Sequence, residues 1–520
     1  MKMDINRRYL ALAVFTSGMT TLAMEITASR LLGNVFGTSN IVWANIIGLI
    51  LVYLTLGYYI GGRIADRWPF ESMFYRLLAW GAFLAGIIPI VSRPVLLAAA
   101  SAVELLDAAV MIGTFLVVLI LFSIPVTILG FTSPYAIRLS LKDTEHAGRT
   151  SGWVYAVSTL GSILGTFLPV LILIPLIGTA RTFILFSLIL LVVALIGLWR
   201  SDRRLAIYHL WMPIVIIILS ALLLSGSMKS IEGQVYETES GYNYIQVIER
   251  DGVRQLLLNE GQGVHSVYAP GLMLTNGTWD LFLAAPFFNP PTEGEIQLDR
   301  VGLVGLAAGT ISKQYTQNFG PIPIDGWEID PKIVNVGREW FEMNEPNLNV
   351  IVADGRWGLG QSDEVYDVIG IDAYRLPYIP WHLTTREFFQ EVEAHLSPTG
   401  VVVINVGRTP NDRRLIDAMA STIGSVFSSV HVVDVPYTFN TIIYGTVQPT
   451  SPENIFLHAA QLEVSRSSPL LLEVLTRVIE NLQPVPEAGI IFTDDKAPIE
   501  RITNAMVIEF ILGSNLEVLR

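Results

Sequence analysis

Residues 301–328 read VGLVGLAAGTISKQYTQNFGPIPIDGWE. VGLVGL is a short apolar run closed by small residues, the signature of a strand buried on both faces. AAGTISKQYTQNF then opens a helix, and IDGWEI is a second buried strand. The rhythm continues outward from this stretch. DPKIVNVGREWF reads as a helix, NVIVAD and YDVIGID as strands, TTREFFQEVEAHL as a helix and GVVVINV as a strand. Strands alternating with helices predict a parallel sheet covered on both faces. Such a sheet binds ligands beyond the carboxyl ends of its strands, near the point where strand order reverses.

Four strand ends carry polar or small residues. The first ends in the turn Gly305-Leu306-Ala307-Ala308-Gly309-Thr310, whose small side chains admit a close ligand and whose following helix N-terminus favours negative charge. Tight strand–helix packing explains the same residues. Glu328 ends the second strand, nineteen residues after Gly309, a spacing at which a carboxylate can accept hydrogen bonds from ribose hydroxyls. Asp354-Gly355 and Asp372-Ala373-Tyr374 follow the third and fourth. An acid at the end of each of three successive strands exceeds what solvation requires, and all three are expected to face one crevice.

Upstream, the chain changes character near residue 227. Residues 1–226 carry 15 Lys+Arg against 9 Asp+Glu, while residues 227–520 carry 18 against 37. A composition 52% hydrophobic and 15% charged is too apolar for an ordinary soluble protein. Apolar stretches at about 9–33, 41–62, 75–92, 109–134, 152–177, 180–199 and 209–226 are each long enough to cross a bilayer. The basic residues before the first stretch resemble a signal peptide, but the run passes Leu22 without a small-residue cleavage pattern, so an uncleaved first helix is expected. Lys2, Arg7, Arg8, Arg63, Arg67, Arg76, Arg138, Lys142, Arg149, Arg200, Arg203 and Arg204 fall on one side of these spans, against Arg93, Arg181 and Lys229 on the other. That bias puts the N-terminus in the cytoplasm. Glu25 and Arg30 in the first span read as a structural pair or as the lining of a polar path.

Between the two halves, GQVYETES, YNYIQVIER and VRQLLLN alternate as strands, with Asp251-Gly252 as a two-residue hairpin turn. The acidic balance argues against a nucleic-acid partner, which would require basic surface. The absence of cysteine excludes disulfides, thiolate metal sites and cysteine nucleophiles. No His/Asp/Glu cluster has metal-ligand spacing, so no metal is expected.

With these strand ends in place, residues 235–445 resemble the spermidine-synthase-type polyamine aminopropyltransferases, a branch of the S-adenosylmethionine-dependent transferases. The resemblance rests on Ser240-Gly241-Tyr242-Asn243, Leu256-Leu257-Leu258-Asn259 and the run from Gly305 through Glu328, Asp354-Gly355 and Asp372. PYIPWHLTTREFF, HLSPTGVVVINVGR and TDDKAPIER make the whole chain similar to multi-spanning bacterial members fused to a membrane bundle. The resemblance implies three parts: an α-helical transmembrane bundle of about seven spans (1–226), a small β-hairpin subdomain (227–299), and a Rossmann-like α/β transferase domain with a C-terminal extension (300–520). It implies decarboxylated S-adenosylmethionine, or S-adenosylmethionine, as co-substrate. Gly305, Ala307 and Gly309 approach its amino-acid part, Glu328 holds the ribose, and Asp354 with Gly355 contacts the adenine. Asn243 completes this set. Asp372 orients and deprotonates the attacking amine, with Tyr374 beside it. Tyr242, Asn259, His265, Asp494 and Asp495 are candidates for binding the amine substrate. Lipid and a homodimeric partner belong to the same set of expectations.

The chain departs from the soluble members in two places. They carry Asp-Gly and then Gln where this sequence has Asn259-Glu260 and further on His265-Ser266, and they carry a second acid three residues after the first where Arg375 stands. Three activities fit the sequence: aminopropyl transfer to a polyamine such as putrescine, methyl transfer to a membrane-delivered acceptor, and transport or sensing of a polyamine or nucleoside. Loop charges place residues 227–520 outside the cell, whereas the supply of co-substrate favours the cytoplasm.

Overall fold

The computed structural model describes residues 6–36, 40–103, 108–141, 145–223, 231–259, 263–292, 294, 296–374, 379–486 and 489–512. Lys2, Lys142, Lys229, Glu260 and Arg375 lie outside these ranges. The chain forms two compact units: residues 1–231 with 237–244, and residues 232–236 with 245–520.

The first unit is helical. Among the described residues, seven helical segments are long and apolar enough to cross a membrane: Arg7–Gly33, Val42–Arg67, Glu71–Ser92, Thr114–Ser140, Ala147–Ile177, Thr179–Ser201 and Arg203–Leu223. Buried Leu, Val, Ala and Phe side chains hold them together. Gly161 and Gly165, four apart on one helix face, sit directly against the backbone carbonyls of Phe15 and Met19. A side chain at either position would separate the two helices, which is how small residues allow apolar helices to associate. The helix around Pro169 widens into one turn of π-helix at Pro169–Leu173. Proline lacks the N–H that continues the regular ladder. Arg30 donates to the backbone carbonyls of Ser240 (3.0 Å), Gly241 and Tyr242 (3.2 Å), a role the sequence did not suggest.

Two sheets lie mostly within the second unit. Strands β1 (Gln234–Glu239), β2 (Tyr244–Arg250), β3 (Val253–Leu258) and β4 (Val264–Tyr268) form a four-stranded sheet in that order. Asp251 and Gly252 both have positive φ, as the tight β2–β3 hairpin requires, and Arg250 pairs with Val253. The expected small hairpin subdomain is not a separate body. Ile245, Val247, Leu256, Leu258 and Tyr268 share one apolar cluster with Ala308 and with Ile333, Val336 and Phe341 of the neighbouring helical segment. Four short strands bury too little apolar surface alone, so their inner face is completed by the α/β layer.

That layer is built on β5 (Val301–Val304), β6 (Ile324–Glu328), β7 (Leu348–Val352), β8 (Tyr366–Ile371), β9 (Leu396–Gly407), β10 (Ser429–Asp434), β11 (Asn440–Thr446) and β12 (Leu482–Gln483). Their order is β12-β10-β11-β9-β8-β5-β6-β7. β5 to β9 are parallel, as the alternation predicted, while β10, β11 and β12 add antiparallel edges that it did not. Strand order reverses between β5 and β8. A 3-10 segment, Thr278–Phe288, buried except for the partly buried Trp279, packs against one face of the sheet, and no sequence pattern signalled it.

Candidate active site

The order β8-β5-β6-β7 sets four carboxyl ends side by side, and the backbone stitches them. Asp372 N–H donates to Val304 O (2.9 Å), Gly305 N–H to Trp327 O (3.0 Å) and Ala353 N–H to Glu328 O (3.1 Å). Gly305 adopts φ +87°, and a Cβ there would come within 2.6 Å of the Ala373 amide. Only glycine permits both the left-handed turn and that approach between the ends of β5 and β8. Ala307 also has positive φ (+49°), uncommon for a residue with a Cβ and a mark of an over-determined turn.

Glu328 supplies the constraint. Its Oε2 accepts from Ala307 N–H and its Oε1 from Asp330 N–H, both at 2.9 Å. The side chain is buried, not partly exposed as a purely ligand-facing carboxylate would be. Burial raises its pKa to about 7 despite these two donors. Each oxygen keeps a second lone pair, so a pinned carboxylate can still receive hydroxyl donors from a sugar. On the other side, Ser266 Oγ accepts from Ala308 N–H (3.0 Å), and Thr310 Oγ1 exchanges bonds with the Val267 backbone (2.9 and 3.1 Å). β4 therefore clamps the turn through Ser266, the neighbour of His265. His265 itself is half-buried on β4, and Asn259 is buried with positive φ at the end of β3.

Asp354 caps the helical turn Gly355–Leu359, accepting from Arg356 and Trp357 N–H at 3.1 Å, while its Oδ2 meets His382 Nε2 at 3.0 Å. Gly355 is required by packing, since a Cβ there would lie 2.5 Å from Val304 Cγ1. Arg356 donates to Asp494 through both terminal nitrogens (2.8 Å each), to Glu391 (2.6 Å) and to the His382 carbonyl (3.0 Å). Thr385 Oγ1 adds a further bond to Asp494 at 2.6 Å. Asp494 was a candidate for holding a substrate cation. Its charge is instead spent on Arg356, whose hydrogen bonds hold the Asp494 pKa below the usual carboxylate range. Asp495 is exposed in the adjoining turn.

Asp372 closes the row. Its Oδ1 accepts from Asn405 Nδ2–H (2.9 Å) and its Oδ2 from Trp279 Nε1–H (3.0 Å). Burial raises its pKa to about 6, against the opposing pull of those two donors. Such a carboxylate is ionised at neutral pH yet a stronger base than an exposed aspartate. Tyr374 packs against the apolar cluster that contains Ile371, Val402 and Ile404, and its hydroxyl bonds to the backbone of Gly407. Burial raises its pKa, so it stays protonated. Tyr242 and Asn243 form a tight turn in which Ser240 Oγ accepts from both of their N–H groups (3.0 and 2.8 Å), and this turn groups with the helical unit. Trp279, Asn405, His382 and Ser266 thus complete the row of strand ends. The sequence carried no local signal for them beyond their polar atoms.

The fold and the row of carboxylates are the frame in which likeness to other proteins can be weighed. Residues 323–457, from β6 to the helix after β11, match the spermine/spermidine synthase domain. A probable polyamine aminopropyl transferase of Bifidobacterium longum is 34% identical over 281 residues, which are 51% of this chain and 61% of the relative. A polyamine aminopropyltransferase of Vibrio vulnificus is 27% identical over 46% of this chain and 81% of its own length. The chain therefore spans about three-fifths of the first relative. A solved structure of a probable spermidine synthase from Corynebacterium glutamicum aligns with a TM-score of 0.40 and 18% identity, covering 51% of this chain and 97% of that one. Within the synthase domain fall Glu328, Asp354, Asp372 and Asn405, while the β5 turn and Trp279 precede its matched boundary.

Proposed function

We propose that the protein is a membrane-anchored aminopropyltransferase that moves an aminopropyl group from decarboxylated S-adenosylmethionine to a polyamine such as putrescine. The observation that carries this reading is Asp372, a buried carboxylate of raised basicity held by two neutral donors at the strand-order switch. In the reaction, the amine nitrogen forms a bond to the carbon beside the sulfonium. The carbon–sulfur pair leaves with sulfur, giving neutral 5′-methylthioadenosine, and the surplus ammonium proton passes to Asp372. Because the sulfonium already activates the carbon, alignment and removal of that proton are what the protein must supply. The Gly305–Gly309 turn and Glu328 would hold the amino and ribose portions, and Asp354 with Gly355 the adenine.

Residues 1–226 would anchor the enzyme, their exposed apolar side chains facing lipid. Residues 227–299 and 300–520 would act as the strand portion and nucleoside-binding portion of one catalytic unit. The purified full chain, given putrescine and either decarboxylated or intact S-adenosylmethionine, decides the matter by product chromatography. Spermidine with 5′-methylthioadenosine supports the proposal, and a methylated product or no nucleoside product refutes it. A reporter fused after Arg520 assigns the side of the membrane.

A further inference from the structure

Asn405 makes a contact that leaves half of its amide unused. Its side chain is only 8% exposed, and Nδ2 donates to Asp372. Among the described residues its Oδ1 is buried without a hydrogen-bond partner. A buried amide oxygen left unmatched destabilises the fold, which is tolerated where a ligand supplies the donor. The position is not accidental. β8 and β9 run parallel with Gly370 opposite Val403 and Ile371 opposite Ile404, so Asp372 and Asn405 are the next rung. Trp279 reaches the second Asp372 oxygen from the 3-10 segment. Tyr374, on Asp372's own strand end, is the titratable group whose pKa responds to that carboxylate.

We infer that Asn405 is a second amine-binding group, its Oδ1 accepting an N–H from the attacking nitrogen while its Nδ2 and Trp279 lock the Asp372 carboxylate. This rests on the aminopropyltransferase reading. The attacking nitrogen arrives as an ammonium with three N–H bonds. Once one proton has passed to Asp372, the neutral amine keeps two N–H bonds. With one of them held by Asn405 Oδ1, the amine settles with its lone pair turned away from the carboxyl and the amide, toward the carbon beside the sulfonium. A carboxylate alone cannot impose that orientation. Both contacts involve a single nitrogen, so the site requires at least two N–H bonds on the attacking ammonium and leaves the remainder of the acceptor unspecified.

The test uses the full chain in detergent with Asn405→Leu, which removes donor and acceptor at similar volume, and Asn405→Asp, which retains only the acceptor. Expected for Asn405→Leu is a tenfold or greater rise in KM for putrescine and a fall in kcat, with 5′-methylthioadenosine affinity by calorimetry within twofold of wild type. Asn405→Asp should keep a KM for putrescine closer to wild type while moving the acid limb of the pH–rate profile upward, because two carboxylates then share one site. A second readout needs no turnover. In protein labelled with 5-fluorotryptophan, the Trp279 fluorine signal, assigned by its loss in Trp279→Phe, reports protonation of Asp372. Its midpoint should rise by on the order of one pH unit in Asn405→Leu, since a donor to the charged form has gone. An unchanged midpoint, or a KM for putrescine unchanged while nucleoside affinity and thermal stability fall together, overturns the assignment. If the wild-type chain makes no aminopropyl product, the proposed function fails, and the fluorine titration still decides whether Asn405 governs Asp372.

Discussion

Replacing Asp372 by Asn tests the proposed chemistry directly. The exchange keeps shape and volume but removes the proposed proton acceptor. Loss of a positioned general base typically costs a factor of about 10²–10⁴ in rate, or about 3–5 kcal/mol of transition-state stabilisation. The structure bears on the ground state as well. Burial raises the Asp372 pKa from 3.8 to about 6, equivalent to about 3 kcal/mol against the charged form. A neutral amide relieves that cost but turns one N–H toward either Asn405 or Trp279, both of which are donors. These effects oppose one another, so the variant should unfold within a few degrees of wild type. In the wild type the base must be ionised, so kcat should rise with pH through about 6 and then level. The assay is product chromatography with decarboxylated S-adenosylmethionine and putrescine, alongside calorimetric affinity for 5′-methylthioadenosine. If Asp372→Asn keeps more than a tenth of the wild-type rate, or if the acid limb stays at the same pH when a second base is titrated instead, Asp372 is not the proton acceptor.

Other perturbations have equally definite outcomes. Glu328→Gln sets an amide N–H against the N–H of Ala307 or Asp330, so nucleoside affinity should fall at least tenfold and the melting temperature should drop with it; calorimetry and thermal unfolding check both. Glu328 also has its folded pKa raised to about 7 from 4.5, so the folded state holds the extra proton between those values; its contribution to stability must decline as pH rises across that window, visible as a melting temperature whose pH slope flattens in Glu328→Gln. Gly305→Ala combines a left-handed φ with a Cβ 2.6 Å from the Ala373 amide, and should cost on the order of 1–3 kcal/mol in chemical denaturation and most of the activity. His431 stacks on Phe288 (ring centroids 4.4 Å apart) and burial lowers its pKa to about 4, so its contribution is full above pH 6.5 and is lost as pH falls toward 4; His431→Phe should make unfolding less acid-sensitive.

What could be read from the chain alone was whatever the chain encodes locally. A bilayer-length apolar run is a property of twenty consecutive residues, so the seven described helices long and apolar enough to cross a membrane were legible, though their ends differ by several residues. Period and punctuation revealed β5 to β9 and put Glu328, Asp354 and Asp372 at strand ends, because a buried parallel strand must be apolar until it stops. The antiparallel edges β10 to β12 carry no such rhythm. The four-stranded sheet also looked separable, since nothing in its sequence shows that its inner face is closed by Ile333 and Phe341. The electrostatics of the candidate site were decided by tertiary structure. Trp279 and Asn405 reach Asp372 across 93 and 33 residues, and Asp494 is claimed by Arg356 across 138. A carboxylate's basicity and availability depend on burial and on which donors the fold brings within 3 Å, and neither is written in the residues beside it.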